Sequence, residues 1–181
     1  MDAETRRDRF EAVAPGLIEP LRRFLARRTD AATADDVLGD TLLVCWRRLD
    51  ELPDEPLPWA YGVARHCLAN ADRGARRQQR VAARVATVDP PAATAPGPGE
   101  ADGGPDTGLD EALARLRPDD AELLRLWAWE QLTPAEIATV LDITANAASI
   151  RLHRAREKLR AELRKTSGVA GHEGSREGRT S

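Results

Sequence analysis

Asn146, Ser149, Ile150, Arg151, His153, Arg154 and Lys158 all fall in one stretch, ANAASIRLHRAREKLR, spanning residues 145–160. These side-chain types read nucleic acid: Arg pairs with guanine edges or phosphates, Asn with adenine, and Lys meets phosphate as a point charge. A second basic set, Arg65, Arg73, Arg76, Arg77, Arg80 and Arg84, follows Trp59 with Asp72 as the only acid among them, a composition suited to tracking a phosphate backbone. Asp35, Asp36 and Asp40 form the opposite kind of cluster. Lacking the turn chemistry of a calcium loop, it reads as a surface for a basic partner or as a solvated helix flank.

Catalytic chemistry finds no footing. His66, His153 and His172 form no metal-ligand spacing, no Gly-rich phosphate loop follows a strand, and no GxSxG-like nucleophile motif appears. The expectation is a protein that is not an enzyme and needs no cofactor, metal or small-molecule substrate. No apolar run approaches the roughly 18 residues of a membrane span, and MDAETRRDRF lacks an apolar signal segment, so neither membrane insertion nor export is expected and the location is read as cytoplasmic. In that reducing compartment Cys45 and Cys67 are read as thiols serving as small buried hydrophobes.

The elements that must position these residues are helical. The chain has 181 residues, 41% of them hydrophobic, which suits two small cores, and no apolar alternation supports a sheet. Residues 85–108 include a Pro-, Gly- and Ala-dense stretch from 88 onward with only acidic charge, read as a flexible linker. Residues 167–181 are read as a disordered tail. The expected fold is all-α, with one domain over 1–84 and a second over 109–166.

Local signals are sharpest in the second domain. Thr133, Pro134 and Glu136 supply an N-cap hydroxyl, a proline at the first helical position and a capping-box carboxylate, with Leu132 and Ile137 as a hydrophobic staple. A helix therefore starts at Pro134, with Ile137, Ala138 and Leu141 on its inner face. Asp142-Ile143-Thr144 makes a turn in which Asp tolerates positive φ, and Thr144 caps the next helix. In that helix Ala148, Leu152, Ala155 and Leu159 recur at helical spacing and face inward, which turns the polar and basic set outward. The arrangement reads as a helix-turn-helix whose second helix fits the major groove; a solvated helical hairpin is the competing reading.

The segments LTPAEIATVL, DIT and RLHRAREKLR resemble, in order, region 4 of the sigma-70 family, in particular its two-domain extracytoplasmic-function (ECF) group of actinobacterial type. The resemblance implies contact with the −35 promoter element through Asn146, Ser149, Ile150, Arg151, His153, Arg154 and Lys158. This sequence departs from the family at Asp142, where Gly is usual, and over Ala147 to Ile150, where a Thr-Val-Lys-Ser type of run is common. Those departures alter base readout more than fold.

The first block is similar to the partner domain of the same family. DDVLGDTLLVCWRRL, residues 35–49, looks like region 2.2, and the resemblance implies that Asp35, Asp36, Asp40, Leu43 and Trp46 hold core RNA polymerase. Gly39 replaces the usual Gln, which softens the helix or admits close contact. After Pro53, Pro56 and Pro58, the stretch from Trp59 resembles regions 2.3 and 2.4, implying contact of Trp59, Arg65, His66, Asn70, Arg73, Arg76 and Arg77 with the melting −10 element. Trp59 is the one tryptophan placed for base stacking, whereas Trp46, Trp127 and Trp129 are read as core.

The implied function is that of a sigma factor, which binds core RNA polymerase and directs promoter recognition, melting and transcription initiation. Core polymerase and promoter DNA are the implied partners, and members of the family are often held by an anti-sigma factor, a partner this sequence leaves open. A stand-alone helix-turn-helix repressor accounts for the second domain alone and leaves the region 2.2 resemblance unused.

Overall fold

In a computed structural model of the chain, residues 3–85 and 107–170 are described, and every secondary-structure element assigned among them is a helix. They form seven α-helices: α1 (Ala3–Ala26), α2 (Ala31–Arg47), α3 (Pro56–Val85), α4 (Thr107–Arg115), α5 (Pro118–Ala128), α6 (Pro134–Leu141) and α7 (Ala145–Ala170). A single 3₁₀ turn, Leu49–Glu51, joins α2 towards α3. The chain divides into two compact units, one built on α1–α3 and grouped with Thr139–Asp142, the other on the remaining residues of the later helices.

In the first unit the three helices pack on one another around Leu17, Leu21, Phe24, Val37, Thr41, Cys45 and Leu49, all but inaccessible to solvent. Phe24 stacks on Tyr61 at 4.9 Å between ring centroids. Helix α1 runs through Pro15 and Pro20. Each removes an intrahelical hydrogen bond, and the burial of Leu17, Leu21, Phe24 and Leu25 on the same helix opposes that loss. Thr41, a buried polar side chain of this core, donates from Oγ1 to the carbonyl of Val37 at 2.7 Å, so burial leaves it satisfied. Asp30 caps α2 by accepting from the Thr33 amide at 3.1 Å.

The two cysteines differ. Cys45 is fully buried, and loss of solvation pushes its thiol up to about 11. Cys67 is only half-buried, short of the core role expected for it, with its thiol also raised by burial against an opposing hydrogen bond to Thr41. Helix α3 begins at Pro56, so Pro56 and Pro58 belong to its first turn rather than to the preceding loop. First-turn amides have no intrahelical acceptor, which is why prolines fit there. At Gly39 an added Cβ would meet nothing within 4 Å, so this glycine admits no close contact inside the protein, and the softening of α2 is what remains of that expectation.

In the second unit α4 and α5 pack on α7. Buried Leu113, Leu124, Leu126, Leu152 and Ala155 form its interior. Helix α4 starts at Thr107 and α7 continues to Ala170, past the expected boundaries at 109 and 166, and α3 ends at Val85. Most of the expected linker (86–106) and of the tail (171–181) lies outside the described residues.

Candidate nucleic-acid interface

The turn motif over residues 133–147 is built from local chemistry. Thr133 and Glu136 exchange the two bonds of a capping box: the Glu136 amide donates to Thr133 Oγ1 at 3.3 Å and the Thr133 amide donates to Glu136 Oε2 at 2.7 Å. Leu132 and Ile137 are buried as the staple requires. Helix α6 ends with Asp142 at φ 53°, and the Ile143 amide donates back to the Ala138 carbonyl at 3.0 Å, the six-to-one bond of a Schellman ending. The Ala147 amide then donates to Thr144 Oγ1 at 3.2 Å, starting α7. A second left-handed residue, Gln131 at φ 56°, follows the end of α5, where the Leu132 amide reaches back to the Leu126 carbonyl at 3.2 Å, one residue further than the bond that closes α6.

This frame fixes which side of α7 is outward. Ala148, Leu152 and Ala155 are buried and Leu159 is half-buried, so Asn146, Ser149, Ile150, Arg151, His153, Arg154 and Lys158 are all exposed. At about 100° per residue, Asn146, Ile150, His153 and Glu157 lie near the middle of the outer face, with Ser149 and Arg154 at its edges. Arg151 and Lys158 share a flank closer to the body of the unit. Lys158 is engaged there: its Nζ lies 2.5 Å from Asp120 Oδ2 on α5. Arg160 pairs with Glu157 within α7. Arg156 packs its guanidinium over the Trp127 ring, 4.5 Å from the centroid.

Trp127 is 38% exposed, which corrects its expected core placement. Trp129 is half-buried with Arg125 over its ring. Together with Leu109, Leu113, Leu124, Ala128 and Leu159 these rings line a small apolar hollow. Residue type alone places Trp127 and Trp129 in the interior and so does not reveal this hollow.

In the first unit Asp35, Asp36 and Asp40 are exposed, and Leu43 is 43% exposed beside them. Asp36, Asp40 and Leu43 fall on one stripe of α2, with Asp35 set about 100° away. Trp46 is half-buried instead of fully interior: its ring meets Phe10 edge-on at 5.4 Å, Arg6 lies over it at 5.4 Å, and Arg6 also donates to its carbonyl at 3.0 Å and to Asp50 at 2.9 Å. These contacts tie Trp46 to α1.

On α3, His66, Asn70, Arg73 and Arg77 share one exposed stripe, with Arg76 to one side and Arg65 half-buried. Arg73 donates to the Asn70 side chain, so the two act as a hydrogen-bonded pair. Trp59 is half-buried and already carries Arg48 over its ring at 5.3 Å, and Arg48 is paired with Glu51. One face of the Trp59 ring therefore already carries a cation. Asp36 and Asp40 line one side of a groove that Arg76 and Gln79 line on the other, which brings the acidic and basic constellations next to each other. Among the described residues no cluster of His, Cys, Asp and Glu could hold a metal ion, and no helix is long and apolar enough to cross a membrane.

A helical chain carrying a capped helix-turn-helix with an outward polar and basic face belongs to the class of DNA-binding helical proteins. The profile of the family described as "Sigma-70, region 4" matches residues 107–159. The chain is 32% identical over 148 residues to the ECF RNA polymerase sigma factor SigL of Mycobacterium tuberculosis, covering 79% of this chain and 82% of that protein. It is 34% identical over 165 residues to the RNA polymerase sigma factor CarQ of Myxococcus xanthus, covering 86% and 90%. The chain belongs to the sigma-70 family, in its ECF group. The fold is shared with the sigma factor RpoE solved with the anti-sigma factor NepR from Bartonella quintana, at TM-score 0.56 and 19% identity over 86% of this chain and 96% of that one.

Proposed function

We propose that this sigma factor grips core RNA polymerase through the α2 stripe and promoter DNA through α3 and α7. Asp36, Asp40 and Leu43 combine charge with an exposed apolar side chain, the composition of a contact that a basic partner surface would desolvate; Asp35 adds charge at its edge. Trp46 supports this stripe from behind through α1 instead of touching the partner with its ring. His66, Asn70, Arg73 and Arg77 offer a strip for the strand opened at the −10 element, with Arg65, Arg76 and the edge of Trp59 beside it. Asn146, Ser149, Ile150, His153 and Arg154 enter the major groove at the −35 element, and Arg151 and Lys158 flank it towards phosphate. The chain itself is regulatory, with the catalysis belonging to polymerase, and an anti-sigma factor is the kind of regulator its exposed α2 and α7 faces would suit.

The observation that supports this reading most is the exposure of seven polar, basic or apolar contact residues on α7 behind a helix-turn-helix closed by caps at Thr133, Asp142 and Thr144. Run-off transcription from genomic fragments, with purified core polymerase and with or without the protein, tests it. Discrete protein-dependent transcripts are expected. Their absence, with the protein folded, would overturn the proposal.

A further inference from the structure

Ile150 is 44% exposed near the middle of the outward face of α7, almost opposite the buried Ala148. It contributes little to the interior of its own unit. Its neighbours one turn away are Asn146 and Arg154, and Ser149 and His153 lie beside it, so an aliphatic branched side chain stands alone at the tip of a polar face. The floor of a B-form major groove consists of hydrogen-bond donors and acceptors, with one apolar feature, the C5-methyl group of thymine.

From this juxtaposition, and resting on the proposed docking of α7 in the −35 element, we infer that Ile150 is a specificity-determining residue that reads a thymine methyl group. The side chain has no hydrogen-bonding atom, so it gains nothing from the other base edges and strips water from them unrewarded, whereas against the methyl group both partners shed apolar surface. Asn146 and Arg154 lie about 6 Å along the helix axis on either side, close to two base steps of about 3.4 Å. The thymine therefore sits between the base pairs those two residues reach, and Ile150 distinguishes it from uracil there by the methyl group alone.

The test uses the full-length protein with core polymerase and a promoter fragment selected from a randomised library by binding and transcription. Each thymine of the upstream element is replaced singly by deoxyuridine, which removes only the C5-methyl group. The native protein is expected to lose about fourfold in affinity at one position, the worth of one buried methyl-sized group. Ile150→Ser, at a site too exposed to disturb folding, should bind the thymine fragment about as weakly as the native protein binds the uracil one and should no longer distinguish the two. Indifference of the native protein to every replacement, while transcription proceeds, would overturn the role of Ile150 and leave the sigma-factor reading intact. Persistence of the thymine preference in Ile150→Ser would do the same. Absence of any transcribed fragment would instead strike the sigma-factor reading itself.

Discussion

Lys158 and Asp120 join the outer helix of the turn motif to the start of α5, with Nζ 2.5 Å from Oδ2, the carboxylate 15% exposed and the ammonium 49% exposed. A cation that looks available for phosphate is thus already engaged by its own protein. Arg151 lies on the same flank two turns earlier and is exposed.

That difference predicts unequal salt effects. Replacing Arg151 by Ala should flatten the salt dependence of promoter binding by about one counterion. Lys158→Ala should flatten it by less, because the native Lys158 must leave Asp120 before it neutralises a phosphate. A double-mutant cycle of Lys158 and Asp120 in urea unfolding should give a coupling of about 0.5–1 kcal/mol, the scale of a partly exposed pair. Equal salt slopes for the two alanine variants would mean that the pair opens freely on DNA.

The acidic stripe of α2 should be read by polymerase and by little else in the protein. Asp36 and Asp40 are exposed, so replacing both by Lys should leave the helix folded. If each meets a basic side chain at the interface, the reversal should weaken core binding by about 3 kcal/mol in sum, about a hundredfold. Titration of labelled variant against core polymerase measures this directly. An unchanged affinity in the folded double variant would remove the stripe from the interface.

The helix-turn-helix was legible because its determinants are local. Thr133, Glu136 and Thr144 act within three residues of themselves, and Asp142 needs only its own backbone to adopt φ 53°. The burial of Ala148, Leu152 and Ala155 followed from spacing alone. What escaped depends on residues remote in sequence. Arg154 and Arg156 are two positions apart, yet one is exposed and the other is spread over Trp127; Lys158 meets a carboxylate 38 residues away. Trp59 shows the same limit, since only the folded chain brings Arg48 over its ring. Residue type and period set the face of a helix, but the partner that occupies that face is tertiary information.

Acid should act on the first unit through the cap of α2. The Asp30 carboxylate accepts hydrogen bonds from the amide and the hydroxyl of Thr33, which hold its pKa below the ordinary value for Asp, the backbone bond contributing most. The folded state therefore favours the ionised form. Its stabilising contribution is fully present above the unfolded-state pKa and is lost as pH falls through the lower folded-state value. Asp30→Asn keeps a capping oxygen but cannot titrate, so its acid unfolding profile should be flatter than that of the native protein over that window. Superimposable profiles, followed by circular dichroism, would show that Asp30 has no part in acid sensitivity.

Arg154 offers the clearest separation of reading from anchoring. It sits at the edge of the outward face of α7, one turn beyond Ile150, and is exposed, whereas Arg156 is committed to Trp127 and Arg160 to Glu157. Of the three, Arg154 is the one placed to reach a base edge. A bidentate contact to guanine is worth about 1–3 kcal/mol of discrimination, so Arg154→Ala should lose that much at the preferred −35 element and accept other bases at one position. Arg156→Ala should instead expose the Trp127 ring and lower the melting temperature without moving base preference, because its guanidinium stabilises the unit through the ring face. Both variants are best compared as full-length protein with core polymerase on a randomised upstream element, reading the selected sequences by counting. A base preference shifted by Arg156→Ala and untouched by Arg154→Ala would place a different side of α7 against the DNA.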